Sequence, residues 1–245
     1  MKRLLSILHI AFFLALAACA SGPGQAPDEE TGSAALSLQL AGLEDGEIYV
    51  SNDGYVLTFT HFAMAFSGMS LGEAEVDEAF SADFFDEEVV DLVEIEEVAP
   101  GEYDEVALTM GTAGSGGNAR FLQARNLKRA ETTPSALDGN SVFLEAEAVK
   151  GSDNCILQVV LQADGETMEV DPGDNDVEVE AGEEAEVLVE VDPNQVFAGV
   201  DLGGLCQGGG VVTISAADNA DLADRIAANL GGAFALGSSE GHHDH

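Results

Sequence analysis

Beyond residue 33, apolar side chains come in short stretches with a period of two. Glycine, proline or acidic residues break each stretch before a helical period can develop. A period of two puts alternate side chains on one face of a β-strand. Ala34–Ala41 alternates in this way, and Glu47–Val50 is a second short stretch. Tyr55–Phe66 (YVLTFTHFAMAF) is the strongest, being rich in β-branched and aromatic residues. Strict alternation gives it two faces: Tyr55, Leu57, Phe59, His61 and Ala63, against Val56, Thr58, Thr60, Phe62, Met64 and Phe66. Both are largely apolar, which predicts a central strand covered on both sides.

Further strands are expected at Glu88–Ile95 and Tyr103–Met110, separated by a Pro100-Gly101 turn. Ser141–Val149 and Cys155–Ala163 flank Lys150–Asn154 (KGSDN), which reads as a hairpin loop. Thr167–Val170 and Val177–Glu180 flank a DPGDND turn. Glu184–Val191 turns Val187, Val189 and Val191 inward and Glu186, Leu188 and Glu190 outward, and Val211–Ser215 closes the series. Gly111–Asn118 and Gly203–Gly210 read as glycine-rich loops, while Ala119–Ala130 fits neither period. Asp218 or Asn219 caps a helix that runs to Leu230 and stops at Gly231-Gly232. About nine or ten short strands with glycine-rich turns predict a mainly β fold. The expectation is an Ig-like or transthyretin-like antiparallel sandwich with one short C-terminal helix.

Gly54-Tyr55-x-Leu57-x-Phe59, Val90-Asp91-Leu92 and Ala99-Pro100-Gly101-Glu102-Tyr103-Asp104 occur in that order. The order resembles β-sandwich lipoproteins of the kind common in myxobacteria and, more distantly, copper-linked periplasmic proteins of the methanobactin-partner type. The resemblance spans roughly residues 50–230 and implies a sandwich. Two of its motifs are altered here. Asp192-Pro193-Asn194-Gln195-Val196-Phe197 lacks the histidines found at that place, and Asp218-Asn219-Ala220-Asp221-Leu222 lacks the glycine of a calcium loop.

The N-terminus carries a different signal. Lys2 and Arg3 precede an apolar run from Leu4 to Leu16, broken only by Ser6 and His9. A membrane span needs roughly 20 apolar residues, and this run falls well short, so it predicts a signal-peptide core. Leu16-Ala17-Ala18-Cys19 resembles the lipobox of bacterial lipoproteins. The resemblance implies a diacylglyceryl group on the Cys19 thiol, cleavage before that residue, and anchoring by two or three acyl chains. Each buried methylene is worth about 0.8 kcal/mol, so several chains hold where one would not. Ala20 implies sorting to the outer membrane, facing the periplasm or the cell surface. The expected organisation is a signal peptide over 1–18, a flexible tether over 19–33, an acidic sandwich over 34–236 and a histidine-rich tail over 237–245.

Charge narrows the partners. The chain has 46 Asp+Glu against 8 Lys+Arg, a net −38. Removing Lys2 and Arg3 with the signal leaves about −40. Nucleic acid is excluded, since phosphate needs a basic surface. Attraction to anionic lipid is excluded too, so membrane contact falls to the anchor. With 46% hydrophobic residues the chain can still build a core. Salt adaptation, cation binding and solubility all remain open as causes of the acidity. Arg120, Arg125, Lys128 and Arg129 cluster, either pairing with neighbouring acids or offering a docking patch to an anionic partner or glycan.

Cys155 and Cys206 are expected to form a disulfide in an oxidising compartment, closing a loop worth about 4 kcal/mol in the chain-entropy model. His242, His243 and His245 with Glu240 and Asp244 suit Zn²⁺, Cu²⁺ or Ni²⁺, so the one cofactor implied is a divalent metal ion. The acidic stretch Asp171–Glu184 is the candidate Ca²⁺ loop, but it lacks the EF-hand glycine and reads more simply as a solvated hairpin. His61 reads as a packed core histidine. No nucleophile elbow, HExxH or phosphate loop is present. The functional expectation is a lipid-anchored envelope protein whose non-enzymatic sandwich binds a protein or glycan, or serves structurally. The alternative is a metal-handling lipoprotein.

Overall fold

The computed structural model describes residues 31–41, 48–84, 90–113, 120–122 and 136–237. Its strands begin with β1 Gly32–Leu40, β2 Tyr49–Val50, β3 Val56–Leu71, β4 Ala74–Val76, β5 Phe80–Asp83 and β6 Val90–Val98. They continue with β7 Gly101–Tyr103, β8 Val106–Met110, β9 Arg120–Leu122, β10 Val142–Lys150, β11 Asp153–Leu161 and β12 Thr167–Glu169. Then come β13 Val177–Val179, β14 Glu184–Val191, helix α1 Pro193–Val196, helix α2 Gly203–Cys206, β15 Val211–Ile214, helix α3 Ala220–Leu230 and β16 Phe234–Leu236.

The fold is mainly β, layered as a sandwich. The smaller sheet has the order β16-β14-β1-β6, and the larger runs β12-β8-β3-β10-β11-β15. Strands β2, β4 and β5 also pair with β3, β9 pairs with β5, and β13 pairs with β7 in a separate ribbon. One buried cluster draws on both large sheets: Leu36, Leu38 and Val189 from one, Phe62, Leu144 and Leu157 from the other. Helix α3 adds Ala223, Ile226 and Leu230. Each such aliphatic or aromatic side chain contributes about 1.5–3 kcal/mol when removed from water.

The sheets are mixed rather than antiparallel throughout. β1 runs parallel to β14, β11 to β15 and β5 to β9. A parallel neighbour must return by a long crossover. Local alternation carries no trace of that return, which is why the sequence suggested antiparallel pairing.

Strand β3 departs from strict alternation. Its register against β10 slips between His61 and Phe59, leaving Thr60 as an extra residue. Its register against β8 slips again between Phe66 and Gly68, at Ser67. Each bulge reverses the side-chain parity. Leu57, Phe59, Phe62, Met64, Phe66, Met69 and Leu71 therefore all enter the same core. Two apolar faces were expected; one is apolar along the whole strand, the other only at Ala63 and Ala65, and His61 turns outward.

Other segments are also corrected. Gly151 (φ +63°) and Ser152 alone connect β10 to β11, a tighter hairpin than KGSDN suggested. The strands around DPGDND do not pair with each other: β12 joins β8, and β13 joins β7. Tyr103–Met110 is broken at Asp104 and Glu105. The loop expected at Gly203–Gly210 contains α2. Helix α3 has the expected extent, but Asn219 sits at φ +58° with no capping side-chain bond, and its amide instead donates to Thr213 O at 2.6 Å.

Two ties hold α2 against the large sheet. Cys155 on β11 and Cys206 in α2 are joined by a disulfide, with Cα atoms 5.1 Å apart and a sequence separation of 51. Asp53, in the turn between β2 and β3, accepts from Gly203 N–H at 2.7 Å and Leu202 N–H at 3.1 Å, and from the Ser51 hydroxyl at 2.8 Å. Lys150 donates to the carbonyl of Asp53 and lies over the Tyr55 ring.

Candidate functional site

With Leu57 and Phe59 inward, Val56 and Thr58 face out, and the cross-strand register aligns them with outward residues on the neighbouring strands. One row is Val50, Val56 and Val149. The next is Thr58, Glu147, Ile156 and Val211. The third is His61, Glu145, Gln158 and Thr213. The outer face of β2, β3, β10, β11 and β15 thus carries an aliphatic corner beside a polar band. Val211 is 62% exposed, and Val50, Val56, Val149 and Ile156 are exposed with it, as is Ile48 just before β2.

The polar band is internally bonded. His61 Nδ1 lies 2.6 Å from Asp83 Oδ2, and the other oxygen of Asp83 accepts from Phe62 N–H at 2.8 Å. Asp83 is buried at the end of β5, while the His61 side chain is 39% exposed. The hydrogen bond to Asp83 raises the His61 pKa above its ordinary value. Partial burial opposes this, and the charges of Asp83 and Glu145 reinforce it. Glu145 accepts from the Thr60 hydroxyl at 2.9 Å and from Gln158 at 2.7 Å. On the far side of His61 the face closes into a small second core of Ala63, Ala65, Ala113, Leu137 and Phe143.

No family model matches this chain, and no curated protein or solved structure matches it. The functional reading therefore rests on the residues themselves.

Of the residues singled out in the sequence, Cys155 and Cys206 are brought together. Cys19, His242, His243 and His245 lie outside the described residues, as do Arg125, Lys128 and Arg129; Arg120 starts β9. Among the described residues no group of three His, Cys, Asp or Glu could hold a metal ion. Within Asp171–Glu184, Asp171 Oδ1 accepts from Gly173 N–H at 3.0 Å and Asn175 donates to Leu236 O at 2.9 Å. That stretch is largely exposed, as expected, but it is bonded to its own backbone and to β16 and does not form a hairpin. Among the described residues no helix is long and apolar enough to cross a membrane. A cleft of about 400 Å³ opens beside β8 and β12, lined by Ser70, Asp104, Glu105, Ala107, Glu169 and Pro172.

The sequence reading missed Asp83, Glu145, Glu147 and the exposed valines. A signal for the outward turn of His61 was present. A polar pair, Thr60-His61, separates two apolar series that are each spaced by two. A bulge at that pair puts both series on one face.

Proposed function

We propose that this protein is a lipid-anchored cell-envelope lipoprotein whose sandwich acts by binding rather than by catalysis, through the outer face of its large sheet. The anchor rests on the signal-peptide pattern and on Leu16-Ala17-Ala18-Cys19. The binding role rests on one observation: the large exposed aliphatic side chains gather on adjacent strands of one face. Scattered surface valines need no explanation, whereas a contiguous apolar patch marks an interaction site. Acid–base chemistry has less support. Asp83 holds the His61 imidazole through Nδ1, as a carboxylate orients a base, but among the described residues no hydroxyl or thiol is bonded to the ring.

Two measurements test this. The full chain expressed in bacteria should incorporate labelled palmitate, and Cys19→Ser should abolish incorporation; an unlabelled wild-type chain would refute the anchor. A photo-cross-linker at Val56 or Val211 should trap a partner in cells of the native host, while one at Glu178 on β13 should not. No adduct from either face position would refute the binding face.

A further inference from the structure

We infer that the outer face of the large sheet receives a cationic, aliphatic polypeptide segment of a partner protein, an inference that rests on the binding role proposed above for the same face. Its chemistry is specific. Val56, Val149 and Ile156 flank Glu147, with Val211 beyond Ile156, and Glu147 stands exposed between Thr58 and Ile156. Among the described residues Glu147 accepts no side-chain hydrogen bond. In the next row Glu145 adds a second negative charge, held in place by Thr60 and Gln158. A segment that alternates aliphatic residues with Lys or Arg matches this pattern. Its apolar side chains cover the valines, and water leaves as a cation meets Glu147.

The whole-molecule field selects the same partner. At a net charge of −38 the chain draws cationic segments toward it and repels anionic ones. A second copy of this chain is disfavoured on the same ground, because face-to-face pairing sets Glu145 and Glu147 against their own equivalents. A glycan is disfavoured by shape. Sugar rings dock on flat aromatic faces, and the exposed large apolar residues among those described are all Val or Ile.

The test uses the full chain in mild detergent and a fluorescent peptide of alternating Val and Lys. Controls are a Ser–Lys peptide and a Val–Glu peptide. The Val–Lys peptide should bind at least about tenfold more tightly than either control. Val56→Ser with Ile156→Ser should weaken it roughly fivefold. Glu147→Lys should move the preference toward the Val–Glu peptide, and Glu178→Lys on β13 should change nothing. Three results would overturn the inference: equal binding of Val–Lys and Ser–Lys, binding indifferent to the face substitutions, or a dimer of the chain itself that buries Val56. A cross-link from Val56 in cells together with no Val–Lys binding would mean that the face binds something of other chemistry. Failure of both would remove the face itself.

Discussion

Asp53 reaches from the turn between β2 and β3 to the first N–H groups of α2, a helix whose own Leu202 supplies no cap. Burial pushes its carboxyl up, but bonds from Leu202 N–H, the Ser51 hydroxyl and Gly203 N–H outweigh that and hold it below the usual carboxylate range. His61 is shifted the other way, upward. The two therefore respond oppositely to pH. The Asp53 contribution is present above the ordinary carboxylate pKa and is lost as pH falls through the lowered value. The His61 contribution is complete below the ordinary imidazole pKa and is lost as pH rises through the raised value. Denaturant melts of Asp53→Asn and His61→Gln across pH 3–9 should separate them. Asp53→Asn should cost about 1–2 kcal/mol at neutral pH, with the deficit fading in acid. His61→Gln should cost less than about 1 kcal/mol, since the pair is partly solvated, with the deficit fading in alkali. Parallel pH profiles for the two variants would contradict these assignments.

At the scale of the element, β3 explains both what the sequence disclosed and what it hid. Its existence and central place were legible, because Tyr55–Phe66 is dense in β-branched and aromatic residues. Its continuation through Ser67-Gly68-Met69-Ser70-Leu71 was not, since Ser67 and Gly68 interrupt the pattern where the second bulge sits. The hairpin of β10 and β11 and helix α3 were readable because local turn and stop signals bound them. Strands of two to four residues, such as β5 and β9, are too short to show a period, so Asp83 and its bond to His61 could not be foreseen. Nor does a sequence tell which apolar residues remain uncovered, and so Val56 looked like core. Gly111 tests the second bulge. A Cβ there would lie 2.9 Å from the backbone of Phe66 and Ser67, whereas one at Gly204 would meet nothing within 4 Å. Gly111→Ala should cost about 1–3 kcal/mol in chemical denaturation, and Gly204→Ala should be close to neutral. Equal effects would mean that β8 does not press on the bulge.

For the whole molecule, charge is the dominant long-range term. Between described residues one ion pair is present, His61 with Asp83, against a net charge of −38. Repulsion among carboxylates therefore opposes compaction. Salt shortens its reach from about 10 Å at 0.1 M to about 3 Å at 1 M. The thermal midpoint should climb steadily over that range of sodium chloride, as followed by circular dichroism; a fall would show that specific pairs outweigh the general field. The mainly β class and the disulfide were legible, the first from residue types and their period, the second from one cysteine pair in a chain expected to be exported. The arrangement of sheets was not, because β1 meets β14 across most of the chain.

That last pairing has a mechanical consequence. β1 lies between β14 and β6 and is bonded to both. Any pull exerted on the chain ahead of Gly32 enters the domain along this strand. Load applied along a strand is shared by its inter-strand bonds in shear, on two flanks at once, instead of opening them one after another. The sandwich is thus gripped at a strong point for any load that arrives through β1, such as one from the anchor proposed at Cys19.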